Sequence, residues 1–283
     1  MRGVIRSLVT AALLVPVCAA HADQPLGPLW QRGGNAIVVT ACPPGGDSDS
    51  SCRGLAARRG TQTMTLGAGY IVGKLLWAGQ SSAVSPDVVI LGDDGGSGGE
   101  GDLIAVTFVD PIRIRRLRGE RMDSATVRRA ADRLHLTLPF NIEYFNGAPH
   151  AGVSIVPLPI VWSHDDFMVD LPALTKRPAI TDADERSIGR ELRAWARAKR
   201  SGSMDAGTTG TVTALTTLML SGRSEGARKL LHSQWPKDFR GETAFWNSLC
   251  AAIIRHPWWT RFALRRIPDA SRIVAASRAQ PQL

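Results

Sequence analysis

The stretch Leu134-His135-Leu136-Thr137-Leu138-Pro139-Phe140-Asn141-Ile142-Glu143-Tyr144 alternates apolar and polar side chains without a break. A period of two sends successive side chains to opposite faces, so the segment reads as a strand with one buried face. Asn146-Gly147 then offers a hairpin turn, and residues 153–162 return as a second apolar run. Pro139, Pro157 and Pro159 cannot donate to a ladder, which predicts that they sit at a sheet edge or near bulges.

Toward the N-terminus, β-branched and apolar runs at 35–41, 61–77, 84–91, 103–109 and 112–117 are separated by Gly, Asp and Pro, the pattern of short strands. Residues 124–133 break it. Val127, Ala130, Ala131 and Leu134 match a helical stripe that Ser124 could cap. Several strands with one helix before the last pair resemble the order of a five-stranded OB-like barrel.

Toward the C-terminus the period becomes 3.6. Thr181 followed by Asp184 and Glu185 reads as a capping box, with Ile188, Leu192 and Trp195 on one helix face. Further helices are predicted over 212–220, 224–235, 242–256, 258–266 and 269–276, punctuated by Gly222, Pro236, Gly241, Pro257 and Pro268. Gly222, Ala227 and Leu231 keep a spacing that resembles one helix junction of a tetratricopeptide repeat. The later helices do not repeat it, so a plain bundle is expected. The expected class is α+β: a small antiparallel β-barrel or sandwich with one helix, then an α-helical bundle. The expected division is a leader at 1–22, a flexible segment at 23–34, a mainly β domain at 35–177 and a helical domain at 178–283.

Arg2 and Arg6 precede the apolar run 8–17, and Ala20-His21-Ala22 is a small-x-small site, the three parts of a secretory signal cut after Ala22. Ten apolar residues are about 15 Å of helix, too short for a bilayer core of ~30 Å. No later run is long enough to span, so no transmembrane segment is expected after cleavage. The expected location is periplasmic or secreted. Cys42 and Cys52 flank a Pro/Gly/Asp/Ser tract, and an oxidising compartment favours their disulfide. Cys250 lies on an apolar helix face and reads as a core thiol.

The formal charge of +9 would suit a polyanion, but removal of Arg2 and Arg6 lowers it by two and export takes nucleic acid out of reach. The densest basic run includes Arg113, Arg115, Arg116 and Arg118, interleaved with Ile112, Ile114 and Leu117 as on a strand with one solvated face. Together with Trp258 or Trp259, one of which should face outward because both cannot face inward on one helix, it forms the expected binding surface. The partner implied is an envelope protein or an anionic envelope surface.

Chemistry-bearing motifs are sparse. The tract Gly92–Asp102 carries Asp93, Asp94 and Asp102 on a glycine-rich backbone, which could wrap calcium, yet it lacks both the EF-hand and the glycine-repeat order. It is expected to be a mobile loop between strands. Ser163-His164-Asp165-Asp166 gathers a nucleophile type, a base type and two acids; with His135 or His150 it defines an alternative reading as a metal- or carboxylate-dependent hydrolase. Nucleophile elbow, dinucleotide fingerprint, paired-His zinc helix and Walker loop are all absent from the sequence. The main expectation is therefore an exported binding or accessory protein without cofactor.

Overall fold

A computed structural model describes residues 27–42, 52–95, 98–130, 133–143, 145, 153–176, 180–203 and 207–279. The proposed leader, the tract between the two cysteines, Asn146-Gly147 and His150 lie outside them. Twelve strands form three four-stranded antiparallel sheets, each with sequential neighbours. The first contains β1 (Gly27–Arg32), β2 (Asn35–Ala41), β3 (Arg53–Arg59) and β4 (Gln62–Tyr70). The second contains β5 (Val72–Ala78), β6 (Val88–Gly95), β7 (Glu100–Thr107) and β8 (Arg113–Gly119). The third runs β12 (Asp166–Val169), β11 (Ser154–Ser163), β10 (Arg133–Ile142), β9 (Thr126–Ala130). The fold is mixed α+β, and none of the three sheets closes into a barrel.

The second sheet is apolar on both faces. Val88, Ile90, Ile104 and Val106 join Ile37, Leu55, Leu66 and Tyr70 of the first sheet in one core. Val89, Leu91, Leu103, Ala105 and Leu117, on the alternate positions, join a larger core with the third sheet and the helices. Burial of both faces is the reason β6 and β7 read as continuous apolar runs instead of alternating ones. Each such Val, Leu or Ile side chain contributes about 1.5–3 kcal/mol through removal from water.

The central pair behaves as its alternation requires. Leu136 faces Ile160, Leu138 faces Leu158 and Phe140 faces Val156, all buried. Both strands are interior to their sheet, and the prolines sit where the outer strands run out: β9 pairs only as far as Thr137, short of Pro139. Asp170 N–H donates to Pro159 O at 2.9 Å, so Pro159 turns its backbone toward β12, and Pro157 turns the same way beyond that strand's end.

Four expectations are corrected. Residues 27–32, expected to be loose, form β1, joined to β2 through Gly33 and Gly34 at positive φ. The run 61–77 is two strands, because the chain leaves the first sheet at Tyr70 and enters the second at Val72. The helix expected over 124–133 is a single 3-10 turn (Met122–Ser124) followed by β9, which pairs with the first half of β10. Val127, Ala130, Ala131 and Leu134 are too short a run to fix the period, and the open edge of β10 settles the choice. The Gly92–Asp102 tract, expected to be a mobile loop, continues β6 and β7 on both sides of residues 96–97, which lie outside the described residues: Gly92 pairs with Asp102, Asp93 with Gly101 and Gly95 with Glu100.

The helices are α1 (Leu171–Thr175), which the sequence reading does not include, then α2 (Asp182–Ser201), α3 (Thr209–Leu220), α4 (Ser224–Gln234), α5 (Glu242–Arg255), α6 (Pro257–Arg261) and α7 (Ala270–Arg278); the helix expected over 258–266 stops at Arg261, and Ala263 at positive φ leads into a 3-10 turn at Leu264–Arg266. At the start of α2, Asp184 N–H donates to Thr181 Oγ1 at 3.2 Å and the Asp184 carboxylate accepts from Thr181 N–H at 2.9 Å. That is the capping box, and Gly202 at φ 71 ends the helix. The start of α3 has no cap of its own; Glu191 of α2 accepts from Gly210 and Thr211 N–H instead. Trp195, Trp235, Phe239 and Phe245 meet edge-to-face or tilted in the helical core.

Cys42 and Cys52 are bonded, with Cα atoms 5.8 Å apart. Ala41 pairs with Arg53, so the bridge continues the β2–β3 register by one step and closes the connecting loop. In the chain-entropy model a loop of this length is worth roughly 2.5–3 kcal/mol. No helix among the described residues is long and apolar enough to cross a membrane.

Candidate functional site

The end of β8, the end of β10 and the α5–α6 junction enclose a cleft of about 540 Å³. Its walls carry Glu100, Arg118, Glu120, Asn141, Glu143, Arg255 and His256, with Trp258 closing one side. The size falls within the range of small-molecule sites. Gly119 permits the close approach: a Cβ there would stand 2.6 Å from the Trp258 ring and 3.0 Å from Met122 Sδ.

His256 organises the interior. Trp258 N–H donates to its Nδ1 at 3.1 Å, which caps α6 and leaves the proton on Nε2. Nε2 lies 3.2 Å from Asn141 Oδ1, and Asn141 Nδ2 donates to Glu120 Oε2 at 2.7 Å. The imidazole stacks on Phe140 with ring centroids 4.0 Å apart. Burial disfavours the imidazolium and lowers the pKa to about 4, so the ring is neutral at ordinary pH. Both nitrogens are engaged, one by a helix cap and one by an amide.

Arg118 joins this cleft to the glycine-rich hairpin. Its Nη2 lies 2.5 Å from Asp94 and 3.3 Å from Glu100, and its Nη1 lies 3.6 Å from Asp102. Three carboxylates thus surround a guanidinium, which provides the positive charge that a calcium ion would have brought. Asp93 accepts from Gly95 N–H within its own turn, and no metal-type cluster of three such side chains exists among the described residues. Of the calcium candidates, Asp94 and Asp102 come together and Asp93 does not.

Asp102 is itself buried, at 3 % exposure. Tyr70 Oη donates to its Oδ2 at 2.6 Å, and burial followed by this carboxylate raises the tyrosine pKa. The Tyr70 ring lies across Gly67 and Gly92, where any Cβ would collide with it.

The remaining sequence candidates divide. Arg113, Arg115 and Arg116 lie exposed on β8, the edge strand of its sheet. Arg113 bonds Asp165, and Arg116 reaches Asp102 at 4.0 Å. Trp258 and Trp259 are 2 % and 7 % exposed, which corrects the expectation that one faces solvent. The helix carrying them has a single turn and is covered on two sides; Trp258 Nε1 donates to Arg118 O at 3.3 Å on the β8 side. Cys250 is a buried core thiol whose pKa burial pushes up to about 12.

His164 and Asp165, both at positive φ, form the two-residue turn between β11 and β12. His164 points outward, Asp165 goes to Arg113, and Asp166 goes to Arg261 at 2.6 Å. His135 lies instead beside Asp170, at 3.8 Å. The acids of the hydrolase alternative are therefore drawn to separate arginines. In the sequence His256 is weighed only as a base for Cys250, six positions away and off its helix face, because its partners Asn141 and Glu120 lie in distant strand segments.

No known protein family matches this chain, and neither does any curated protein or solved structure.

Proposed function

We propose that this is an exported protein of the cell envelope that acts by binding, through the cleft at the β8–β10–α6 junction and the adjoining Arg113–Arg118 strand edge. The observation that carries the reading is the state of His256: the half-buried imidazole of the cleft is neutral with both nitrogens committed, so it orders the wall and has no lone pair to abstract a proton. The disulfide supports an oxidising compartment. The exposed arginines of β8, some of them paired with acids from neighbouring elements, support recognition of a polar or anionic envelope component over bulk attraction to a polyanion.

The test is fractionation of the full chain in its own host, followed by quantitative capture of envelope components. The expected result is recovery outside the cytoplasm without residues 1–22, and a captured component whose yield falls with Arg118→Gln. Cytoplasmic protein retaining its leader overturns the export reading. Turnover of envelope oligomers that is abolished by His256→Gln overturns the binding reading.

A further inference from the structure

Charges in the cleft do not all find partners within the chain. Arg118 is held by Asp94 and Glu100, and Glu143 lies beside Arg121 at 3.8 Å. His256 is neutral. Two charges remain: Glu120, whose one partner is the uncharged amide of Asn141, and Arg255, which has no carboxylate within ion-pairing distance among the described residues. Arg255 sits in the last turn of α5, where the helix dipole favours a cation but leaves the guanidinium donors open. Although they line the same cavity, Glu120 and Arg255 do not pair with each other.

An unmatched carboxylate and an unmatched guanidinium lining one cleft are complementary to a ligand that carries both opposite charges. A simple anion would meet Glu100, Glu120 and Glu143, and a simple cation would leave Arg255 unanswered. We infer that the cleft takes a small zwitterion, an amino acid or short peptide, with its ammonium on Glu120 and its carboxylate on Arg255. The guanidinium fork suits a carboxylate in bidentate geometry. Ile142, Ala252 and Pro257 provide apolar wall for the body of such a ligand. This inference rests on the binding function proposed above and names the ligand class of that site.

The test is calorimetric titration of the oxidised mature chain with alanine, dialanine and trialanine, each also with its amine acetylated, its carboxylate amidated, or both. At least one free-ended member should bind, with each block costing about tenfold or more in affinity. Arg255→Gln should erase the penalty of amidation, and Glu120→Gln, which keeps an acceptor for Asn141, the penalty of acetylation. Equal affinity for the doubly blocked peptide overturns the inference, as does no binding of any free-ended member at about 10 mM. If either variant unfolds, the blocked peptides on the wild-type chain decide alone. Failure of these titrations with envelope capture intact sinks only the ligand class; cytoplasmic recovery removes the function beneath it.

Discussion

His256 shows how a single residue changes meaning between sequence and fold. In the sequence it is a histidine six positions from Cys250 and off that residue's helix face. In the fold it caps α6, stacks on Phe140 and bonds an asparagine 115 positions away. Its folded pKa of about 4 lies below the 6.5 of an exposed imidazole, so the unfolded chain binds the extra proton first. Stability from this group is intact above pH 6.5 and is lost as pH falls toward 4, by about 3 kcal/mol in all. Urea unfolding of wild type and His256→Gln between pH 7 and 4 should therefore converge as the wild type alone loses ground. Parallel curves would show that the imidazole is not held neutral by burial. Tyr70 makes the same point about distance: its hydroxyl reaches Asp102 because Gly67 and Gly92 leave room for its ring, and only the packing of two sheets brings the four residues together.

At the level of elements, signals carried within one segment were legible and those shared between segments were not. The capping box of α2 is complete within four residues, and the alternation of β10 declares its buried face without reference to any neighbour. The start of α3 is different. Thr208 makes no side-chain cap, and Glu191 satisfies the open N–H groups of Gly210 and Thr211 from another helix. Glu191→Ala should lower stability by about 1–2 kcal/mol, read as a shift of the urea midpoint at unchanged slope. An unchanged midpoint would mean that water replaces the carboxylate without loss. Strand β9 carries a helical pattern for a related reason, since its pairing with Arg133–Thr137 is information held by β10.

For the whole molecule, the decisive feature is the larger core, which runs from the second sheet through Leu136, Leu158 and Trp162 of the third into Trp195, Leu215 and Leu249 of the helices. A boundary near residue 178 marks a change of period in the chain, yet the apolar surface on its two sides is continuous. Removing residues 178–283 would leave the third sheet with much of that surface in water. Such a truncated chain is expected to lose cooperative thermal unfolding in near-ultraviolet circular dichroism, whereas the intact protein unfolds in one transition. A sharp transition in the truncated protein would make the β part an independent domain.

The sequence by itself determined the α+β class, the alternation of the central strand β10, the capped start of α2 and the pairing of Cys42 with Cys52, because periodicity, caps and loop closure act over a few residues. Tertiary structure decided that the strands form three open sheets, that Arg118 stands where a metal was considered, that both tryptophans of α6 are buried, and that Glu120, Asn141 and His256 share one cleft. Those outcomes depend on which surfaces are buried against each other, and burial sets the partners and the charge state of every polar group it encloses.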